Sequence, residues 1–112
     1  MPWDVQLHPE LNIEFTELPA AVQDELLAHA GLLAQSGPTL GRSRVDALKR
    51  SKIANLKELR FDADGGVWHV AFAFDGNRIA VLLAAGNKGG KAQGRFYKTL
   101  IALAERRWKT WS

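Results

Sequence analysis

The apolar positions along the chain fall into a succession of short patterns. Trp3, Val5 and Leu7 alternate with polar neighbours, the period-2 signature of a short strand, and a helical segment is expected from about Pro9. From Pro19 the period changes. Val22, Leu26, Ala30 and Leu33 form one helical face, Pro19 suits a first turn, and Gly37-Pro38 ends the helix. The stretch from Thr39 to Asn55 is polar and basic and predicts a loop with a turn of helix. Three strand-like runs follow, Leu56–Phe61, Val67–Phe74 and Ile79–Ala85. The links "DADGG" and "DGN" carry tight-turn chemistry, which predicts an antiparallel meander. Between about Ala92 and Trp111, Tyr97, Ile101, Ala104, Trp108 and Trp111 recur at helical spacing, flanked by Phe96, Leu100 and Leu103. Lys91, Arg95 and Lys98 lie away from that stripe. The order β, α, α, β, β, β, α implies an α+β domain with helices on one face of an antiparallel sheet.

Alternation also sorts the strand residues by face. Trp68, Val70, Phe72 and Phe74 make a bulky face with Leu59 and Phe61, which reads as core. Val67, His69, Ala71 and Ala73 make a face of small residues around one histidine, with Glu58 and Arg60 expected on the same side. That side is expected to be open, floored by alanine and walled by Glu58, Arg60 and His69, unless these are ordinary solvated residues. His8 and His29 read as structural. No histidines or carboxylates have metal-ligand spacing, so no metal is expected.

Charge changes the picture. Residues 1–35 hold six acids and no Lys or Arg, whereas residues 36–112 hold all fifteen Lys and Arg against six acids. The net +3 thus divides into −6 and +9, and the basic part calls for a polyanionic partner. The 112 residues suit one domain, 1–112. The absence of cysteine removes disulfides and thiol chemistry. There is no signal-peptide pattern and no apolar run near the roughly 18 residues of a membrane helix, so a cytoplasmic protein without membrane association is expected.

The stretch "AAGNKGGKAQGRFYK", Ala84–Lys98, has the context of a phosphate loop but the wrong spacing. Three residues separate Gly86 from Gly90 where a nucleotide loop needs four, and Ala92 stands in place of the metal-binding hydroxyl residue. It reads instead as a basic loop entering a helix, suited to phosphates. With Arg42, Arg44, Lys49, Arg50, Lys52, Lys57 and Lys98, its cations could follow several phosphates of a polynucleotide backbone.

The segments "LKELRF", "GGVWHVAFAF", "RIAVLLAAGNKGGK" and "GRFYKTLIALAERR", in that order, resemble the RelE/ParE superfamily of type II toxins, most closely its phage-derived, HigB-like branch. The resemblance covers nearly the whole chain. It implies a RelE-like α+β fold, an antiparallel sheet with two N-terminal helices and a C-terminal helix packed on it. It implies a ribosome-dependent endoribonuclease that cleaves messenger RNA without a cofactor. The implied partners are the ribosome, its mRNA and a cognate helix-turn-helix antitoxin. The family's strand arginine falls on Arg60, its loop cations on Lys88 and Lys91, and its helix aromatic on Tyr97, with Arg95 close by. Where RelE-type members often have arginine in the middle strand, this chain has His69, and HigB-type members do use histidine. His69 is then the expected acid or base. Arg60, Lys88, Lys91 and Arg95 are expected to hold the phosphate. Tyr97 is expected to stack on a base or assist proton transfer, although an ordinary tyrosine pKa of about 10 is high for a base. A ParE-like inhibitor of DNA gyrase and a non-catalytic RNA-binding module are the other readings of the same fold.

Overall fold

A computed structural model describes residues 2–111. Its elements are β1 (Asp4–Leu7), α1 (Pro9–Phe15), α2 (Ala20–Ser36), β2 (Val45–Ala47), β3 (Lys57–Ala63), β4 (Gly66–Phe74), β5 (Ile79–Asn87) and α3 (Gln93–Thr110). The sheet order is β1-β5-β4-β3-β2. The meander β3–β4–β5 is antiparallel as expected. Asp64 and Gly65, both at positive φ, form its two-residue first turn, the backbone that matches strand twist. Two features differ from the sequence reading. β1 pairs parallel to β5, from Asp4↔Ile79 to Leu7↔Leu82, so the sheet is mixed at one edge. The basic stretch also contributes a short edge strand, β2, antiparallel to β3. A single buried apolar residue, Val45, anchors it, too little to show as alternation.

The larger difference is that helices cover both faces. On the bulky face, Leu11 of α1 and Val22, Leu26 and Leu33 of α2 pack on Leu59, Phe61, Val70, Phe72, Ala80 and Leu82. On the small-residue face, Phe96, Leu100, Ile101 and Ala104 of α3 pack on Ala71, Ala73, Val81, Leu83 and Ala84, with Leu48 and Leu56 alongside. The expected open alanine floor is therefore the seat of α3, with Ala71 at 0% and Ala73 at 1% exposure. Small residues suit that seat because they let a helix approach closely. A Cβ added at Gly86 would lie 3.1 Å from the Phe96 ring. Burying Leu100 and Ile101 there stabilises the fold by about 1.5–3 kcal/mol each.

A bulge shapes the junction. The β4–β5 register steps from Ala71↔Ala84 to Phe72↔Leu82, which leaves Leu83 without a partner across the ladder. Arg107 of α3, 2% exposed, donates to the Leu83 carbonyl at 2.8 Å and to Glu14 of α1 through Nη1 at 3.0 Å. Its Nη2 also pairs with Glu14, and its Nε stands 3.5 Å from Glu10, without hydrogen-bond alignment. Part of the acidic excess of the first 35 residues is thus used inside the molecule. His8 and His29 are structural as expected. His8 Nδ1 accepts from the Glu10 N–H, and Nε2 lies 2.7 Å from the Thr110 hydroxyl. His29 bonds the Glu25 carbonyl and stacks on Phe61. Trp108 and Trp111 pack half-buried against the α3-side core.

Candidate active site

Antiparallel pairing places Arg60 of β3 directly opposite His69 of β4, and Glu58 opposite Ala71. All four lie on the face that α3 covers. The first turns of α3 bring Tyr97 over the end of this row. Glu58 and His69 are 4% and 5% exposed, and His69 Nδ1 lies 2.8 Å from Glu58 Oε1. The Tyr97 hydroxyl donates to both Glu58 oxygens at 3.0 Å and stands 3.2 Å from His69 Nδ1. The His69 ring packs against Phe96 and Tyr97 at 5.0 and 5.5 Å between centroids. A carboxylate persists in such a buried position only when its oxygens are hydrogen-bonded, as those of Glu58 are.

Burial first, then the Glu58 charge and the hydrogen bond to it, push the Tyr97 phenol up to about 12. At neutral pH the phenol keeps its proton and spends it on Glu58. Arg60 is half-exposed, and its guanidinium lies 3.9 Å from Asp46 of β2, which Arg42 also approaches to 3.5 Å. The Asp46 carboxyl is held below its ordinary value, chiefly by accepting the Ala47 N–H and then by Arg42 and Arg60.

Two clefts meet at this row. One, of about 510 Å³, is lined by Asp46, Ala47, Leu48, Lys49, Arg50, Glu58, Arg60, Gln93, Gly94, Tyr97 and Ile101. The other, of about 610 Å³, is lined by Arg60, Gly65, Gly66, Val67, His69, Asn87, Lys88, Gly89, Gln93 and Tyr97. They share Arg60, Gln93 and Tyr97, so the basic side chains Lys49 and Arg50 on one side and Lys88 on the other flank a common centre. Of the sequence candidates, the structure gathers Arg60, His69, Lys88, Tyr97, Lys49 and Arg50 here. Arg42 and Arg44 are exposed beside β2, and the Arg44 carbonyl accepts the Arg60 N–H.

Other candidates stand apart. Lys91 and Arg95 line a separate hollow with Phe96, Leu100 and Leu103 that shares no residue with the two clefts. Their helical spacing correctly placed them together but on the flank of α3 away from Arg60 and His69. Lys98 and Lys52 line a third hollow along α3, joined to the clefts through Arg50, Gly94, Tyr97 and Ile101. There Glu105 accepts the Lys52 N–H at 2.6 Å and the Ser51 hydroxyl at 2.9 Å, contacts that hold its carboxyl below the ordinary value and tie the basic loop to α3. Lys57 turns to the opposite side of the sheet, its ammonium 5.6 Å from the Phe74 ring, apart from the other basic candidates.

The sequence reading left Asp46, Gln93 and Asn87 out of the site. Asp46 and Gln93 carry no signal of their own, since nothing in their spacing points at the cleft. Glu58 was legible as a neighbour of Arg60 and His69 but not as the group that joins His69 to α3. Among the described residues, no group of three His, Cys, Asp or Glu could hold a metal ion, and no helix is long and apolar enough to cross a membrane.

The chain matches the family described as phage-derived Gp49-like protein over residues 13–109. It is 36% identical over 107 residues to HigB3 of Mycobacterium tuberculosis, a toxin by name, across 96% of this chain and 91% of that protein. HigB2 of the same organism, also a toxin by name, is 44% identical over 61 residues, across 54% of this chain and 30% of that protein. Among solved structures, a mutant of the E. coli toxin RelE in the free state superimposes with a TM-score of 0.61 at 8% identity, covering 91% of this chain and 96% of that one. A chain of the archaeal RelE–RelB complex from Pyrococcus horikoshii gives 0.57 at 19% identity, covering 80% and 99%. At such identities these two structures establish the RelE-like α+β fold alone.

Proposed function

Because the chain belongs to the phage-derived Gp49-like family, we propose that it is the toxin of a type II toxin–antitoxin system, an endoribonuclease that cleaves messenger RNA on the ribosome. The observation that carries this reading is the pairing of Arg60 with His69 across β3 and β4, at the meeting of two clefts edged by Lys49, Arg50 and Lys88. Cleaving a phosphodiester through its own 2′-hydroxyl needs three things. The hydroxyl loses a proton, the phosphorane's charge is stabilised, and the 5′-oxygen gains a proton as its bond to phosphorus breaks. His69 is the proton-transfer group of the cleft. Arg60 presents a planar guanidinium to two phosphate oxygens. Lys88, on the loop after β5, stands where an ammonium can protonate the departing oxygen. Lys49 and Arg50 follow the adjoining phosphates.

A protein antitoxin is the corresponding partner, a reading supported by the HigB relatives and by the RelE–RelB complex among the fold neighbours. The ribosome and its messenger place the action in the cytoplasm.

The test uses growth and purified components together. Expression without the adjacent antitoxin should arrest growth, and translating ribosomes given the purified protein should yield cut messenger. Arg60→Ala should remove cleavage by about 1.5–3 kcal/mol of lost charge-assisted hydrogen bonding, with an unchanged melting temperature because Arg60 is half-exposed. Intact messenger accompanied by gyrase-dependent DNA breaks would replace the nuclease with the gyrase-inhibitor reading.

A further inference from the structure

The contacts of His69 do more than bury it. A carboxylate only accepts hydrogen bonds. Glu58 Oε1 faces His69 Nδ1 at 2.8 Å, so the bond requires the proton on Nδ1. The Tyr97 hydroxyl, 3.2 Å from Nδ1, donates to both oxygens of the same carboxylate, so Glu58 has two donors and is held between β4 and α3. His69 Nε2 has no hydrogen-bond partner among the described residues. Among the described residues, the sealed side-chain nitrogens without a partner are Trp68 Nε1 and Arg107 Nε, and Nε2 is not one of them. It belongs to a residue that lines the cleft with Lys88 and Arg60.

We infer that Glu58 is the positioning residue that fixes His69 as the Nδ1–H tautomer, leaving Nε2 as the acceptor toward the cleft, so that His69 is the general base of the cleavage. This rests on the nuclease reading of the same site. In the step, Nε2 takes the proton of the 2′-hydroxyl as the 2′-oxygen bonds to phosphorus. The P–O5′ bond breaks, and the 5′-oxygen takes a proton from the Lys88 ammonium. Glu58 does not itself gain the proton. It stabilises the imidazolium that forms, through the Nδ1–H bond already in place. Tyr97 holds Glu58 in position and links the last helix to the base.

Glu58→Gln tests this. The amide offers one acceptor to two donors, and its N–H group demands an acceptor. Where that N–H meets His69, the imidazole proton moves to Nε2 and the base is lost. Nitrogen-15 NMR of the histidine rings should show the Nδ1–H tautomer for His69 in the wild-type protein and a shift toward Nε2–H in Glu58→Gln. In ribosomes carrying a defined messenger, kcat should fall by about 10²–10⁴-fold, the ordinary contribution of a general base, with KM little changed. Glu58→Asp keeps a carboxylate and should recover part of the rate and the Nδ1–H signal. A wild-type His69 protonated on Nε2 alone would overturn the assignment without any variant. A folded Glu58→Gln protein with full kcat and an unchanged tautomer would overturn it as well. If the wild-type protein cuts no messenger, the nuclease reading fails, and the NMR comparison still decides whether Glu58 sets the tautomer.

Discussion

The two faces of the sheet solve the same packing problem with opposite materials. The α1–α2 face uses bulky side chains, Leu59, Phe61, Val70 and Phe72, with His29 of α2 stacked on Phe61. The α3 face uses Ala71, Ala73 and Ala84, fills the space with Phe96, Leu100 and Ile101 from the helix, and ends in the polar row of Glu58, Arg60 and His69. A bulky face is indifferent to the chemistry at its margin. An alanine face brings the helix in close, and that closeness lets Tyr97 reach Glu58 across the layer. The geometry of the Glu58–His69–Tyr97 cluster is a consequence of small residues under a helix.

Breaking the first face should cost most. Phe72→Ala removes a fully buried ring, and urea denaturation should show a loss of about 3–5 kcal/mol. Its readout is stability, with cleavage by the remaining folded protein retained. Ala71→Leu attacks the second face by overpacking. It should cost about 1–3 kcal/mol and lift α3 from the sheet. Unlike Phe72→Ala, it should lower activity of the folded protein, because the Tyr97–Glu58 contact crosses that layer. Equal effects of the two variants on the activity of folded protein would erase the distinction between the faces.

The smallest effect is a pH dependence confined to the second face. The folded protein holds the Tyr97 phenol up at about 12, above the ordinary value near 10. Stability from this group is therefore complete below about pH 10 and is lost as pH rises toward about 12. Urea midpoints measured from pH 9 to 12 should fall, and Tyr97→Phe should flatten that fall. An identical decline in both proteins would show that Tyr97 is not held by Glu58.

Much of this arrangement was legible in the sequence. Period-2 alternation sorted the residues of β3 and β4 onto their correct faces and set Glu58, Arg60 and His69 side by side. Helical spacing found the α3 stripe. Alternation states which residues share a face, however, and says nothing of what lies upon it. Alanines serve equally as the floor of a cleft or the seat of a helix, and so the covered face was read as open. The same limit applies to Lys91 and Arg95, whose spacing fixes them to each other but not to a flank of α3. β1 was legible as a strand but not as parallel, since its neighbour lies more than seventy residues away in sequence. The three residues of β2 are too few to carry a period.

Arg107 carries a kinetic consequence. Its guanidinium joins Glu14 across 93 positions of sequence and caps the bulge carbonyl of Leu83. Contacts of such separation form late and slow a chain's folding. During synthesis at about 5–20 residues per second, the first helix waits roughly 5–20 s for the arginine that anchors it. Tyr97 arrives shortly before that residue, so the chain completes the hydrogen-bonded cluster of Glu58, His69 and Tyr97 only as its last helix docks.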